Sequence, residues 1–199
     1  MARTQAADYE ERRTAIVEQA ARLFAERGFL GASIADLAEA CNSSKSLIYH
    51  YYTSKEDILY DVMHSHVRAL LDTAEEVANG SAQPSAKLRI LTNGFLQLYA
   101  GAADRHRVLL NELQRLPEKQ RITIISIQRQ LIEIVGSILA ELRPGMPTDL
   151  KRPTVMLYFG MINWTHTWYD PNGAATPEQI ADLATSVFLD GLERGEIPA

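Results

Sequence analysis

The chain has 199 residues and a single cysteine, Cys41. It therefore forms no internal disulfide and holds no zinc site built from several cysteines. Because no catalytic base is indicated next to Cys41, the thiol is better interpreted as a small packed residue than as a redox or catalytic group.

The motifs of common enzyme classes are also missing. The chain has no glycine-rich phosphate loop, no Gly-x-Ser-x-Gly elbow and no His-Glu-x-x-His helix. It therefore lacks the minimum motifs for hydrolase, kinase and metalloprotease chemistry. His64 and His66 are two positions apart on a predicted helix and point in different directions, which is poor geometry for a metal ion. We expect no enzymatic activity, no metal and no cofactor.

Long apolar runs and a positive net charge are absent as well. No run approaches the roughly 18 apolar residues of a membrane span, and the N-terminus lacks the apolar core of a signal peptide. We therefore expect a cytoplasmic protein without a membrane partner. The formal net charge of -5 excludes a general basic surface for nucleic acid, although the span from Ala40 to Lys55 has two lysines and no acidic residue.

Between Ser33 and Lys55 the sequence has the pattern of a helix-turn-helix. Ser33 is a good N-cap for a short first helix, and Asp36 three positions later lies near the exposed amides. That helix is predicted to stop near Cys41. Asn42 then occupies the turn, where asparagine is one of the few non-glycine residues that tolerates positive φ.

The second helix of this motif is predicted to read DNA. Ser43 or Ser44 caps it, and Ile48 and Tyr51 turn inward with Leu47, which leaves a short polar face toward solvent. An ordinary helical hairpin with a solvated polar face is the alternative interpretation. The residues predicted to contact DNA are Ser33, Ser44, Lys45, Ser46, Leu47, Tyr49, His50 and Lys55.

The span from Ile16 to Leu59 resembles the DNA-binding domain of the TetR family of bacterial transcriptional regulators. The resemblance is carried by Ala20, Leu23, Phe24, Gly28 and Phe29, by Asp36-Leu37-Ala38, and by the run from Tyr49 to Glu56. The chain departs from the family pattern in the turn, Cys41-Asn42-Ser43, and at Tyr52, where the family has phenylalanine. The resemblance implies a dimeric DNA-binding regulator that responds to a small molecule.

Beyond this motif, apolar residues recur at helical spacing and strand patterns are scarce. The helix after Lys55 is predicted to run to near Ala78. We predict an all-α protein, in which residues 1–55 form a three-helix DNA-binding domain and residues 56–199 form a helical bundle for ligand binding and dimerisation. Helix breaks are predicted at Gly80-Ser81, Gly101, Pro117, Pro144-Gly145 and Pro171-Asn172-Gly173.

The last two predicted helices suggest a homodimer. The segment from Val155 to Tyr169 is apolar or aromatic nearly all the way round, which requires cover on several sides. The final helix starts with a capping box, Thr176-Pro177-Glu178-Gln179, and presents an apolar stripe. The predicted interface consists of Tyr158, Ile162, Leu183, Val187, Phe188 and Leu192.

Aromatic and polar residues of the bundle are candidates for an effector pocket, with core packing as the alternative for each of them. These candidates are Phe95, Tyr99, Asn111, Met161, Asn163, Trp164 and Trp168. The run from Asn163 to Pro171 resembles TetR-family regulators that respond to acyl-CoA thioesters. The basic side chains available for CoA phosphates are Arg105, His106, Arg107, Arg115 and Arg129.

The residues together with the resemblance imply a repressor that is released from a palindromic operator in double-stranded DNA by a small apolar effector such as an acyl-CoA. The alternative is a dimeric helical protein that binds a lipid-like metabolite without controlling genes.

Overall fold

The computed structural model describes residues 2–170 and 173–194, and the side chains of residues 8–170 and 173–192. Within these ranges the chain is helical and contains no strand, which confirms the predicted all-α class. The part of the last predicted break formed by Pro171-Asn172 lies outside the described residues.

Nine α-helices are described. The first four are α1 (Ala2–Gly31), α2 (Ile34–Ala40), α3 (Lys45–Tyr51) and α4 (Lys55–Asn79). They are followed by α5 (Pro84–Gly101), α6 (Ala103–Asn111), α7 (Glu118–Leu142), α8 (Thr148–Asn163) and α9 (Pro177–Arg194). Two short 3₁₀ helices cover Leu113–Arg115 and Trp164–Thr167.

The helices group into two compact units. The first unit contains residues 1–67 and 104–125, and the second contains residues 68–103 and 126–199. The compact units thus divide within α4 and α7 rather than at residue 55, because α6 and the start of α7 pack with the N-terminal helices. The functional boundary at residue 55 stays a prediction.

In the first unit, α1 is interrupted at Gly28, where φ is +71° and ψ is 160°. A side chain is strained in this conformation, and a Cβ at Gly28 would also lie 3.3 Å from Glu112 Oε1. Gly28 therefore lets Phe29 turn back into the core, where its ring meets Phe24 edge to face at 5.4 Å.

A buried histidine pair joins α4 to α6 in the same unit. His66 Nε2 lies 3.1 Å from His106 Nδ1, and both side chains are almost completely buried. Burial, reinforced by the positive charge of Arg105, lowers the pKa of His66 to about 4. His66 is therefore neutral at physiological pH and acts as a packed polar residue.

We expect this pair to make the protein sensitive to acid. A folded-state pKa below the unfolded value of about 6.5 means that the unfolded chain binds the proton first, so stability falls as pH drops from about 6.5 towards 4. Between pH 7.5 and pH 5 this effect amounts to roughly 2 kcal/mol. Urea unfolding at the two pH values should show a smaller loss of stability in His66→Leu than in the wild type. An equal loss in both proteins would contradict this account.

The second unit is built around α5 packed on α9. Arg89 pairs with Asp182 at 2.7 Å, and Gln97 Nε2 donates to Glu178 Oε1 at 3.0 Å. In the interior, the Thr92 and Tyr158 hydroxyls are 2.9 Å apart. This bond satisfies the buried polar atom of Tyr158 and holds α8 against α5.

Helix α8 starts and ends earlier than the apolar pattern predicts. It begins at Thr148, with Pro153 in its second turn, and it ends at Asn163, so the tryptophan run forms a 3₁₀ turn. Helix α7 is the one described helix that is long and apolar enough to cross a membrane. One such helix is weak support for a span, because core helices pass the same test, and Leu131, Val135 and Leu139 of α7 are buried.

Candidate nucleic-acid interface and effector region

The helix-turn-helix has the caps that its sequence predicts. Ser33 Oγ accepts from the Asp36 amide at 3.2 Å, while the Ser33 amide donates to Asp36 Oδ2 at 2.8 Å. The Ser33 hydroxyl also donates to Asp36 Oδ2, and this bond together with that of the Ser33 amide lowers the pKa of Asp36. Asn42 has φ of +48° in the turn, and Ser44 Oγ accepts from the Leu47 amide at 3.2 Å.

Helix α3 presents a polar outer face. Ile48 is buried, and the ring of Tyr51 packs against Tyr9 with centroids 4.6 Å apart. Leu47 is half-buried and lines a groove between α1 and the turn. The other predicted contact residues of this helix and its cap are exposed, namely Ser44, Lys45, Ser46, Tyr49 and His50. Donors of this kind suit phosphates and base edges.

A partly buried cluster fixes the end of α3. Tyr52 caps the helix, and its hydroxyl donates to Asp61 Oδ2 at 2.7 Å, while Arg13 Nη2 pairs with the same oxygen. Burial and the Asp61 carboxylate raise the pKa of Tyr52. The tyrosine hydroxyl therefore links the recognition helix to α4 by a bond that phenylalanine, the residue usual in the family, lacks.

The side chain of Lys55 binds backbone carbonyls of its own chain. Its ammonium group donates to the backbone carbonyls of Phe29 and Ala32, each at 2.8 Å, and lies 4.2 Å from the centroid of the Phe29 ring. These bonds satisfy carbonyls at the end of α1 and engage the ammonium group within the protein. We therefore withdraw Lys55 from the predicted DNA contacts.

Lys55→Ala should lower the free energy of unfolding by roughly 2–4 kcal/mol, because two charge-assisted hydrogen bonds are lost and two carbonyls are left without their partner. Lys45→Ala, which removes an exposed lysine, should leave stability unchanged. Chemical denaturation of the two variants makes the comparison. A stable Lys55→Ala protein with weakened binding to every DNA sequence would restore the phosphate contact.

A second set of hydrogen bonds, which the sequence does not reveal, joins the first turn of α4 to the residues before it and to α7. Asp57 Oδ2 accepts from the hydroxyls of Thr53 and Ser54, and Asp57 Oδ1 accepts from Gln120 Nε2 of α7 at 2.7 Å. The hydroxyl bonds lower the pKa of Asp57, with a further contribution from Gln120. The Ser54 and Asp57 pair follows a capping spacing, but no local signal indicates a partner 63 residues away.

Part of the predicted effector set comes together in the second unit. The Tyr99 hydroxyl donates to Asn163 Oδ1 at 2.8 Å, and Phe95 stacks with Tyr99 at 6.3 Å and with Phe159 at 6.2 Å. Burial raises the pKa of Tyr99 well above its usual value. This group forms an aromatic interior with one polar pair, which matches the general make-up of a site for an apolar ligand.

Other members of that set lie elsewhere. Trp164 and Trp168, in and directly after the 3₁₀ helix that follows α8, are on the surface, 64% and 55% exposed. Asn111 is exposed and belongs to the first unit, where its amide donates to the Arg107 carbonyl. Met161 is half-buried. We therefore keep Phe95, Tyr99 and Asn163 as effector candidates and remove the two tryptophans and Asn111.

Some of the basic residues considered for phosphates are already paired. Arg105 lies 3.8 Å from Glu18, and Arg115 lies 3.7 Å from Glu112. His106 is buried in the histidine pair. Arg107 and Arg129 are exposed.

The predicted dimer residues separate into two groups. Tyr158 and Ile162 of α8 and Leu192 of α9 are buried inside the protomer, because their helices turn them towards its core, so they leave the predicted interface. Phe188 is half-buried with its ring on Tyr158 at 5.4 Å.

The remaining apolar residues form an uncovered face on α8 and α9. Leu183 and Val187 of α9 are 62% and 59% exposed. Met156 and Leu157 of α8 are exposed, as is Trp164 directly after α8, and Leu157 reaches 71%. Among them lies Gly160, where an added Cβ would meet open space. Contiguous apolar faces of this kind mark interaction surfaces.

Comparison with known sequences matches both halves of the chain. Residues 16–62 match the family described as bacterial regulatory proteins, tetR family, and residues 81–192 match the tetracyclin repressor-like C-terminal domain. The transcriptional repressor KstR2 of Rhodococcus jostii is 25% identical over 91% of this chain and 91% of its own.

Solved structures agree with the sequence comparison. A TetR-family transcriptional regulator from Bordetella parapertussis superposes with a TM-score of 0.87 and 42% identity, covering 94% of this chain and 98% of its own. AibR, crystallised with isovaleryl coenzyme A and operator DNA, gives a TM-score of 0.78 and 26% identity over 88% of this chain and 97% of its own. Members of this family are DNA-binding regulators and not enzymes. With its capped helix-turn-helix, its helical second unit and family matches across both, the chain belongs to the TetR family of bacterial transcriptional regulators.

Proposed function

We propose that this protein is a cytoplasmic, homodimeric repressor that binds a palindromic operator through α3 and leaves it when an acyl-CoA thioester enters the second unit. The observation that carries the proposal is the outer face of α3. Ser44, Lys45, Ser46, Tyr49 and His50 are exposed there, on a helix whose two ends are fixed by Ser44 and Tyr52. Such a face can be read against base edges only if it is held rigidly, and these caps supply that rigidity.

A palindromic site requires two copies of the recognition helix α3. The uncovered apolar face of α8 and α9 fits a second copy of the same face, because a two-fold axis presents identical surfaces to each other. Gly160 lets a partner helix approach closely, and Leu157, Leu183 and Val187 supply apolar area. The axis would place two α3 helices about 34–36 Å apart, the spacing of successive major grooves on one side of DNA.

The effector class rests on the interior of the second unit and on the relationship to AibR. Phe95, Phe159 and Tyr99 form an aromatic interior suited to an acyl chain. The bond between Tyr99 and Asn163 offers a polar pair to a ligand carbonyl or amide. An acyl-CoA contains both an apolar chain and amide groups, which fits this combination.

Release follows if the ligand binds better to a conformer in which α4 has moved. The ligand shifts the population towards that conformer by its difference in affinity for the two states. In that conformer the displaced α4 helices move the two recognition helices away from the spacing of the major grooves, and operator affinity falls.

Titration with acyl-CoAs tests the effector class. We expect a short- or medium-chain acyl-CoA to release operator DNA and to change tryptophan fluorescence, because Trp164 directly follows Asn163. Free coenzyme A and the free acid serve as ligand controls. Tyr99→Phe should weaken the response and leave operator binding intact, whereas Tyr169→Phe, which alters a hydroxyl bonded to the Ala175 carbonyl, should not.

Release of operator DNA by a free acid or a cationic drug, but not by any thioester, would overturn the proposed effector class. The proposal that the protein is a ligand-responsive regulator would stand. Binding of a lipid-like molecule by a protein that binds no DNA would favour a sequestering protein instead.

A further inference from the structure

The short link between the recognition helix and α4 is held on one side of α4 by two carboxylates. α3 ends at Tyr51 and α4 begins at Lys55, so three residues connect them. Asp57 and Asp61 are four positions apart on α4, and side chains at this spacing lie on one face of a helix. Asp61 holds the Tyr52 hydroxyl and Asp57 holds Thr53 and Ser54, so the whole link is fixed to the start of α4.

The second oxygen of Asp57 connects this assembly to α7. Gln120 Nε2 donates to Asp57 Oδ1 at 2.7 Å, and both residues belong to the first unit. Asp57 is charged at neutral pH, because its hydrogen bonds lower its pKa. A hydrogen bond to a charged acceptor is stronger than one between neutral groups.

The same glutamine has an unsatisfied atom. Gln120 Oε1 is buried and has no hydrogen-bond partner among the described residues. A buried carbonyl oxygen without a partner is unfavourable and would gain by reaching water. The favourable free energy of the bond to Asp57 is thus opposed by the unfavourable burial of Oε1 in the same amide group. A contact with such a small net free energy can form in one conformational state and break in another.

Helix α7 extends well beyond this contact. It starts at Glu118 and continues without interruption to Leu142, and its residues from Ser126 onwards belong to the second unit, where Leu131, Val135 and Leu139 are buried. A displacement of α7 would therefore act directly on Gln120.

We infer that Gln120 is a positioning residue for operator binding, which ties the start of α7 to the α3–α4 link through Asp57 and so couples α7 to the recognition helix. The inference rests on the proposed function, since it concerns how α3 is set for DNA.

Gln120→Glu tests the contact with nearly the same side-chain shape. At pH 8 the new carboxylate faces the charged Asp57, and operator affinity should fall about tenfold relative to the wild type. Two carboxylates at one site raise the pKa of one of them, so Glu at this position takes up a proton as the pH falls and can again donate to Asp57. At pH 5.5 the affinity ratio of variant to wild type should return to within about twofold of unity.

Gln114→Glu is the matched control, because Gln114 is exposed on the 3₁₀ helix that precedes α7 and gains the same charge. Its affinity ratio should stay near unity at both pH values. Gln120→Leu provides a second, uncharged variant that removes both the donor and the unsatisfied oxygen. It should retain the thermal stability of the wild type and still bind the operator several-fold more weakly.

Operator affinity is measured by fluorescence anisotropy with the full-length protein and a duplex from upstream of its own gene. A defect in Gln120→Glu that is equal at pH 8 and pH 5.5 indicates a merely structural role and overturns the inference. An affinity within twofold of the wild type at pH 8 overturns it as well. If Gln120→Glu does not fold, full operator affinity in Gln120→Leu has the same consequence. A wild type that binds no DNA would instead contradict the proposed function.

Discussion

Leu157→Glu combined with Leu183→Glu should turn the protein into a monomer in sedimentation experiments at micromolar concentration. Both side chains are more than 60% exposed in the protomer, so the substitutions spare its core. In the proposed dimer they are buried against a second copy, where unpaired charges are strongly unfavourable. Because the two half-sites are then bound independently, operator affinity should fall by roughly 10²- to 10⁴-fold.

Ile90→Glu combined with Ile122→Glu is the matched control. These isoleucines of α5 and α7 are 52% and 57% exposed and lie outside the proposed face, so the control should stay dimeric. Phe188→Glu is a poorer test, because its ring packs on Tyr158 inside the protomer. A monomeric wild type, or a dimeric Leu157→Glu/Leu183→Glu protein, would show that α8 and α9 do not form the interface.

The second large effect is expected on the outer face of α3. Lys45→Ala combined with Tyr49→Ala removes two exposed side chains, and each contact to a base edge is worth about 1–3 kcal/mol. Operator affinity should therefore fall roughly 10²- to 10³-fold. The melting temperature should not change, because neither side chain is part of the core.

Lys119→Ala removes an exposed lysine from the start of α7 and controls for the loss of positive charge. It should cost little operator affinity. Equal affinity in the wild type and the Lys45→Ala/Tyr49→Ala protein would remove α3 from the role of recognition helix.

The local features of the DNA-binding region were predictable because they depend on neighbouring residues. The Ser33 and Asp36 capping box, the positive φ of Asn42, the Ser44 cap and the exposed polar face of α3 all follow from residue type and spacing over three or four positions. The same holds for Thr176 and Gln179, which form the predicted capping box of α9.

Features that depend on distant packing were not predictable. Lys55 looked like a phosphate contact, but its partners are carbonyls 23 and 26 residues away. Tyr158 and Leu157 are adjacent on an apolar helix, and no periodic signal shows that Tyr158 meets Thr92 while Leu157 faces outward. The contact of Gln120 with Asp57 spans 63 residues and has no sequence signature.

In the effector region, neighbouring residues at the end of α8 lie in different environments. Trp164 and Trp168 follow the end of α8 at Asn163 and lie on the surface instead of in the interior. Asn163 itself keeps an inward contact with Tyr99. The aromatic pattern was therefore informative about the region and uninformative about which rings line its interior.

The most direct test of the central claim is the binding of purified wild-type protein to a duplex from upstream of its own gene, compared with a scrambled duplex at one fixed salt concentration. The account predicts saturable binding by dimers and an affinity at least about 10³-fold higher for the upstream duplex, since specific regulators exceed their non-specific binding by this margin or more. Equal affinity for the two duplexes, across a panel that covers the regions flanking the gene, would contradict it.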